Sequence, residues 1–237
     1  MAAAVILSPH RDDAVLSAWH VLAGPGDVGV LNVFTAAPPG AAVGWWDELT
    51  GATDAAVRIR ERAAEDAEAL ALAGREAASL DFVDGQYRRS EQRLEPLAEA
   101  IAAAAPGEAR LLAPAALGHH PDHELVRAAA LALRERGRGV SLYADIPHAV
   151  PRGWPGWVAD GGAPAADDEW TARLRAAGLA AAELEPEVHR LDGEAERRKR
   201  VAVACYRTQL GALEEDFPIL SRPELLRYEV VWPLPPA

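Results

Sequence analysis

An α/β fold with a mainly parallel sheet follows from three features of this 237-residue chain. Short continuous apolar runs mark strands buried on both faces. Over residues 1–145 these runs alternate with stretches of helical periodicity, which implies βαβ crossovers and parallel neighbours. Gly, Pro, Asp and Ser punctuate the boundaries between them.

Residues 4–7 (AVIL) form the first strand and stop at Ser8-Pro9-His10. Val15, Leu16, Trp19 and Leu22 then repeat at helical spacing up to Gly24. Val28 to Phe34 is a second apolar run, followed by a loop rich in Pro, Gly and Trp over 36–52. A long amphipathic helix fits 53–73 and closes at Gly74. Ser79–Val83 reads as a strand, Glu91–Ala105 as a helix and Arg110–Pro114 as a strand. The turn Gly118–His123 leads into a helix over 121–136, and Val140–Tyr143 is again strand-like. Residues 147–168 are irregular, with six prolines and glycines between Pro151 and Gly162. A strand near 186–191, a charged helix over 193–213 and a strand over 227–232 add a C-terminal part. One domain over 1–237 is expected, in which 1–145 forms the α/β core and 146–237 supplies a rim loop and the C-terminal elements.

The 24 basic and 36 acidic side chains leave a formal charge of −12. Nucleic acids and anionic membranes both need a basic face, so neither is an expected partner. Cys205 is the only cysteine, which excludes an internal disulfide and a thiolate zinc cluster. On an apolar helix stripe it reads as core. The opening MAAAVILSPHRDD has no basic stretch before a short apolar run, and no later segment is long and uncharged enough to span a bilayer. A cytoplasmic protein without membrane insertion is the expectation.

Parallel sheets bind ligands beyond the carboxyl ends of their strands. The turns Ser8–Asp13, Thr35 onward and Ala115–His123 should therefore converge. Two of them hold metal-ligand types: Pro9-His10-Arg11-Asp12-Asp13 and His119-His120-Pro121-Asp122-His123. Zinc takes imidazole nitrogen and carboxylate oxygen, and a catalytic zinc keeps three protein ligands and an open position. His10 and Asp13 are three apart at a strand-to-helix turn, so both can reach one point. His120 and His123 repeat that spacing, with Pro121 suited to the first helical position. Either motif alone would pass for a helix cap; the pair, at the ends of two buried strands, points to a metal. Spare acids and imidazoles beside three ligands suit metal-assisted hydrolysis. No G-x-G-x-x-G follows the first strand, which argues against a nucleotide-binding dehydrogenase.

PHRDD after an N-terminal strand, paired with GHHPDH near mid-chain, resembles the PIG-L/LmbE family of zinc-dependent N-deacetylases. The similarity extends to Arg62-Ala-Ala-Glu65-Asp66, LDFVDGQYR (80–88) and LYADIP (142–147), and more faintly to KRVAVACYRTQL (199–210). The resemblance implies a Rossmann-like three-layer fold and hydrolysis of N-acyl, mostly acetyl, groups from amino sugars, glycosylated natural products or related amines. The implied partner is thus a small N-acylated amine, and a homo-oligomer is compatible with the sequence. Zinc is the implied cofactor, with Fe2+ or Co2+ fitting the same donors. By motif position, His10, Asp13 and His123 would bind the metal and Asp12 would be the general base. His120 would stabilise the oxyanion and help protonate the departing amine. Asp122 would hydrogen-bond a histidine and set its tautomer. An amidase for thiol conjugates of the mycothiol type is an alternative using the same site. A metal-retaining binding protein without catalysis is an alternative of another class, although binding alone needs neither Asp12 nor His120.

The chain departs from the family's usual PHPDDE at Arg11 and Ala14. Some sugar-deacetylating relatives carry a tyrosine two residues before the position of His120, where this chain has Gly118, so either a tyrosine-gated site is not expected or another residue supplies that role. His119 is expected to point away from the site. Arg62 and Asp84 fall where relatives place substrate-binding groups, though Arg62 could equally pair with Glu65 or Asp66 on its own helix. His148 follows a strand end and is expected at the rim. Five of the seven tryptophans, Trp45, Trp46, Trp154, Trp157 and Trp170, lie in the irregular stretches. Aromatic rings there can stack on sugar faces or apolar tails. The loops 36–52 and 147–170, with Trp45 and Trp154, are therefore the expected substrate rim.

Overall fold

In a computed structural model, which describes residues 3–38, 40 and 43–237, the run Ala4–Ser8 is strand β1. Two short helices follow, α1 (Asp13–Ser17) and α2 (Trp19–Leu22), then β2 (Val28–Ala36), α3 (Trp45–Leu49) and α4 (Ala55–Ala71). Next come β3 (Ala77–Val83), α5 (Leu94–Ala104), β4 (Arg110–Pro114), α6 (Pro121–Arg134) and β5 (Val140–Tyr143). The C-terminal part contains α7 (Gly156–Asp160), α8 (Glu169–Ala176), β6 (Glu187–Arg190), α9 (Gly193–Val203), α10 (Arg207–Asp216) and β7 (Tyr228–Pro233). Residues 39, 41 and 42 of the expected rim loop lie outside the described residues.

One sheet holds seven strands in the order β3-β2-β1-β4-β5-β7-β6. The first five are parallel, and β7 and β6 add an antiparallel edge beside β5. The central strands are apolar because both faces are covered: Val5, Ile6 and Leu7 of β1 and Leu111, Leu112 and Ala113 of β4 are all buried. Each such leucine or isoleucine stabilises the fold by about 1.5–3 kcal/mol. Chain order reverses between β1 and β4, whose neighbours run to β2 on one side and β5 on the other. A crevice opens at this point beyond the strand ends, where the chains leave in opposite directions.

Three helical expectations change in the structure. The helix read through Gly24 breaks at Ala18, whose φ of −137° leaves the helical region. The buried Glu229 of β7 accepts hydrogen bonds from the Trp19 and His20 amides freed by that break. The helix read over 193–213 divides into α9 and α10 around Ala204–Tyr206. Glu65 of α4 caps the new start, accepting from the backbone N–H and the hydroxyl of Thr208. The irregular stretches also contain helices, α3, α7 and α8; Asp168 caps α8 by accepting from the Thr171 amide.

Candidate active site

The turn after β1 is held by its own side chains. Ser8 Oγ accepts from the Ala14 amide at 3.0 Å and donates to the His10 carbonyl at 2.5 Å. The His10 amide donates to Asp13 Oδ2 at 2.8 Å. His10 and Asp13 are thereby aimed at the space beyond β1. The turn after β4 is built the same way: His120 caps α6, its Nδ1 accepting from the Asp122 amide at 3.3 Å, with Pro121 in the first turn. His119 is in the left-handed region (φ 59°), and its exposed ring lies 3.2 Å from Glu124, away from the site.

The two turns meet. His10 and His123 ring centroids are 5.4 Å apart, and His120 lies 4.9 Å from His10 and 4.8 Å from His123. His123 Nδ1 is 3.1 Å from Asp145 Oδ2, a carboxylate that can only accept, so a neutral ring carries its proton there and turns a lone pair outward from Nε2. His10 Nε2 is likewise 3.2 Å from Asp122 Oδ2, which leaves Nδ1 free. Asp122 is held in turn by Arg88 and by the Gly85 amide. Asp13 Oδ2 sits 3.5 Å from His10 Nδ1 and 3.3 Å from His123 Nε2.

Those spacings bear on a metal. Two ligands bound tetrahedrally at about 2.1 Å stand about 3.4 Å apart. His123 Nε2 is also a buried nitrogen with no hydrogen-bond partner among the described residues, which is a cost unless something accepts its lone pair. The donor set of two imidazole nitrogens and a carboxylate fits a divalent ion of the zinc type. Two triplets bring ligand atoms mutually within 4.8 Å, His10–His120–His123 and His10–Asp84–Asp122. Asp13 belongs to neither, although its oxygen makes the short contacts with His10 and His123.

The local field is receptive to positive charge. Burial lowers the His10 and His123 pKa values, but hydrogen bonds to Asp122 and Asp13 at His10, and the charge of Asp13 with the hydrogen bond to Asp145 at His123, outweigh it. His10 ends well above its ordinary value and His123 at about 9. Burial would raise Asp13, yet the positive charge of His123 and then the His10 imidazole hold it well below the carboxylate range. Asp12 is raised, by burial first and then by Asp13. Burial and the surrounding imidazoles push His120 down to about 2 and His148 to about 4.

A cavity of about 400 Å³ opens over this floor. Asp12, Asp13, His10, His120 and Asp122 line it at the base, Arg62 and Asp84 on the β3 side, and His148 and Phe217 near His120. Arg62 does not pair along its helix: Glu65 serves Thr208, and Asp66 accepts from Asn32 and Tyr206. Its Nη1 is 3.9 Å from Asp84, while Nε and Nη2 are buried without a partner among the described residues. Trp45 stands in the cavity wall, 62% exposed, beside Trp46, whose indole N–H donates to Gln209. Trp154 is not at the rim. Its N–H donates to the Leu225 carbonyl and its ring packs edge-on against Trp170 and Tyr228, so it anchors the 147–170 stretch to the core.

Asp145, Arg88 and Tyr206 neighbour the site, and sequence reasoning did not single them out. Asp145 follows directly on β5, where the rule about strand ends would have flagged it. Arg88 and Tyr206 lie within the family-like segments 80–88 and 199–210 but had no signal of their own, since their partners Asp122 and Asp66 are remote in sequence.

The family model described as PIG-L, GlcNAc-PI de-N-acetylase, matches residues 5–133, a span that contains both motif turns. No curated protein matches the chain. The solved deacetylase Dbv21, which acts on the A40926 pseudoaglycone, is 26% identical, with a TM-score of 0.72 over 99% of this chain and 97% of that one. A triple mutant of a deacetylase of the teicoplanin biosynthetic pathway is 24% identical, with a TM-score of 0.74 over 99% and 98%. The same fold appears at 16% identity in GalB, the 4-carboxy-2-hydroxymuconate hydratase of Pseudomonas putida, with a TM-score of 0.54 over 100% and 98%. Fold alone therefore leaves the chemistry open, and the residues must carry it.

Proposed function

From the premise that this chain belongs to the PIG-L family, we propose that it is a zinc-dependent hydrolase. Its substrate is an amino sugar or glycosylated small molecule, from which it removes an N-acyl group, most simply acetyl. The reading takes residues 1–237 as one catalytic domain. The observation that carries it is the buried Nε2 of His123, which has no hydrogen-bond partner among the described residues and faces Asp13 Oδ2 at 3.3 Å. The 26% identity to the A40926 pseudoaglycone deacetylase over nearly the whole chain supports the substrate class.

His10, Asp13 and His123 would hold the ion, with Asp122 and Asp145 fixing which nitrogen of each imidazole is available. What zinc supplies when bound is acidification of a water molecule, toward a pKa of about 7, and polarisation of the amide carbonyl. Asp12 takes the proton of the attacking water as its oxygen adds to the carbonyl carbon. His120, whose Nδ1 is occupied as an acceptor, presents its Nε2–H to the carbonyl oxygen as negative charge develops there. The C–N bond then breaks, and the proton taken by Asp12 passes to the amine with the assistance of His120. A carboxylate and a free amine leave. Arg62 and Asp84 offer donors and acceptors to substrate hydroxyls, and Trp45 offers a face on which a ring can stack.

Metal analysis combined with a screen of N-acetylated amino sugars and glycosides tests the reading. Activity is expected to disappear with chelator and return with added zinc. Hydrolysis that persists in metal-free protein, or zinc-loaded protein that hydrolyses none of these amides, would reject it.

A further inference from the structure

Gly118 and His148 touch across the turns that follow β4 and β5. A Cβ at residue 118 would lie 2.3 Å from His148 Cβ and 2.8 Å from the His148 carbonyl oxygen. Both distances are far inside contact, so only glycine lets the two turns come this close. The approach sets the His148 ring beside two imidazoles of the site, at 5.2 Å from His120 and 5.1 Å from His123. Phe217 meets the ring edge-on at 5.4 Å. Packing thus fixes the position of His148 while leaving its polar atoms unspent. Among the described residues neither ring nitrogen has a hydrogen-bond partner, and neither is sealed from solvent. A ring held in that way at the wall of a catalytic cavity has donor capacity with no structural use.

His120 contributes a single N–H, because its Nδ1 accepts from the Asp122 amide. We propose that His148 is a second catalytic imidazole, donating a ring N–H to the acyl carbonyl oxygen beside His120 as negative charge develops there. The inference rests on the deacetylase reading above and asks no proton transfer of His148. Bond making and bond breaking are as already described, and the added hydrogen bond strengthens as the carbonyl becomes an oxyanion. Gly118 is the positioning residue that admits it.

Steady-state kinetics on zinc-loaded variants separate this role from packing. His148→Phe keeps ring volume and the contact with Phe217 but has no donor; His148→Gln keeps a donor and gives up the ring. Loss of one oxyanion donor is expected to lower kcat of H148F about 100-fold or more, with KM and zinc content within about twofold of wild type. H148Q retains a larger share of kcat than H148F. Gly118→Ala forces the 148 turn away and is expected to lose kcat as H148F does, the double variant losing no more than either single one. Wild-type kcat in H148F overturns the proposal. So does an H148Q as impaired as H148F, or a loss confined to KM. Should H148F not fold, judged by its circular dichroism and melting temperature, H148Q and G118A decide: undiminished kcat in G118A counts against the idea. A wild-type enzyme that hydrolyses no N-acetylated amine when zinc-loaded rejects the deacetylase reading, and this inference with it.

Discussion

Two buried charge clusters flank α1 and α2, and they obey opposite rules. At the β7 side, every oxygen of Glu229 is engaged: Oε1 accepts from Lys199 Nζ and the Trp19 amide at 2.6 and 2.8 Å, and Oε2 accepts from the His20 amide and ring at 2.7 and 2.6 Å. At the β1–β4 side, Nε2 of His123 and two nitrogens of Arg62 have no protein partner among the described residues. The closed cluster ties the antiparallel edge to the start of α2 and has no group left for a ligand. The open cluster tolerates unpaired polar atoms, which cost about 1–3 kcal/mol each when buried, and such a cost is retained where a ligand or ion is to be bound. Burial and charge by themselves do not distinguish a site from a structural network. Neither does an unpaired buried atom alone, since Trp19 Nε1 and Arg138 Nε also lack a partner among the described residues. Unspent capacity at a cavity wall, as at Arg62, does.

The largest expected effect tests the open cluster. Asp12→Asn should lower kcat by about 10²–10⁴-fold, the range for a lost general base, with zinc content and melting temperature nearly unchanged. Retained turnover in D12N would move the base elsewhere.

Lys199→Met tests the closed cluster, since it strands a buried carboxylate with only His20 and two amides. A loss of about 3–5 kcal/mol is expected in denaturant unfolding, with kcat of the folded fraction preserved. The same cluster sets an acid limit. Burial would raise Glu229, but the Lys199 charge and the His20 hydrogen bond draw it down to about 2, against an ordinary 4.5. Lys199 itself ends below its ordinary value because burial outweighs its partner there; the direction at Glu229, which four donors support, is the one that governs. The carboxylate's contribution to stability is complete above pH 4.5 and is lost as pH falls through 2. Melting curves of wild type and Glu229→Gln should therefore draw together over that window; a gap independent of pH would assign the stability to packing.

Asp145→Asn sharpens the comparison from within the site. It removes a carboxylate that fixes His123 without touching the cavity floor, and zinc affinity should fall about 10–100-fold, read by competition with a chelator. The smallest effect belongs to the rim. Trp45→Ala should raise KM by about 2–10-fold, the worth of one aromatic stack, with no change in melting temperature, because the ring is 62% exposed. Unchanged KM would remove Trp45 from substrate binding.

The same contrast explains which features were legible before any coordinates. Strands β4 and β5 occupy the ranges read from their apolar runs, because a strand covered on both faces has no choice of residue type. The motif residues His10, Asp12, Asp13, His120, Asp122 and His123 stood out because ligand-type side chains three apart at strand ends are hard to explain by packing. Asp145 did not: its place beyond a strand end was the one signal it carried, and no second ligand-type residue at motif spacing set it apart. Trp154 was misplaced for a related reason: an aromatic ring in an irregular stretch suits a rim or an anchor equally, and only Trp170, Tyr228 and the Leu225 carbonyl decide.

Local residue order thus determined the parallel core, the two motif turns and the ligand types they carry, because these depend on burial pattern and on spacings of three or four residues. Tertiary structure alone decided where helices break, which nitrogen of each imidazole is free and which charges are neutralised. Those outcomes depend on partners distant in sequence, from 22 residues for Asp145 against His123 to 210 for Glu229 against Trp19, whose approach no local pattern encodes.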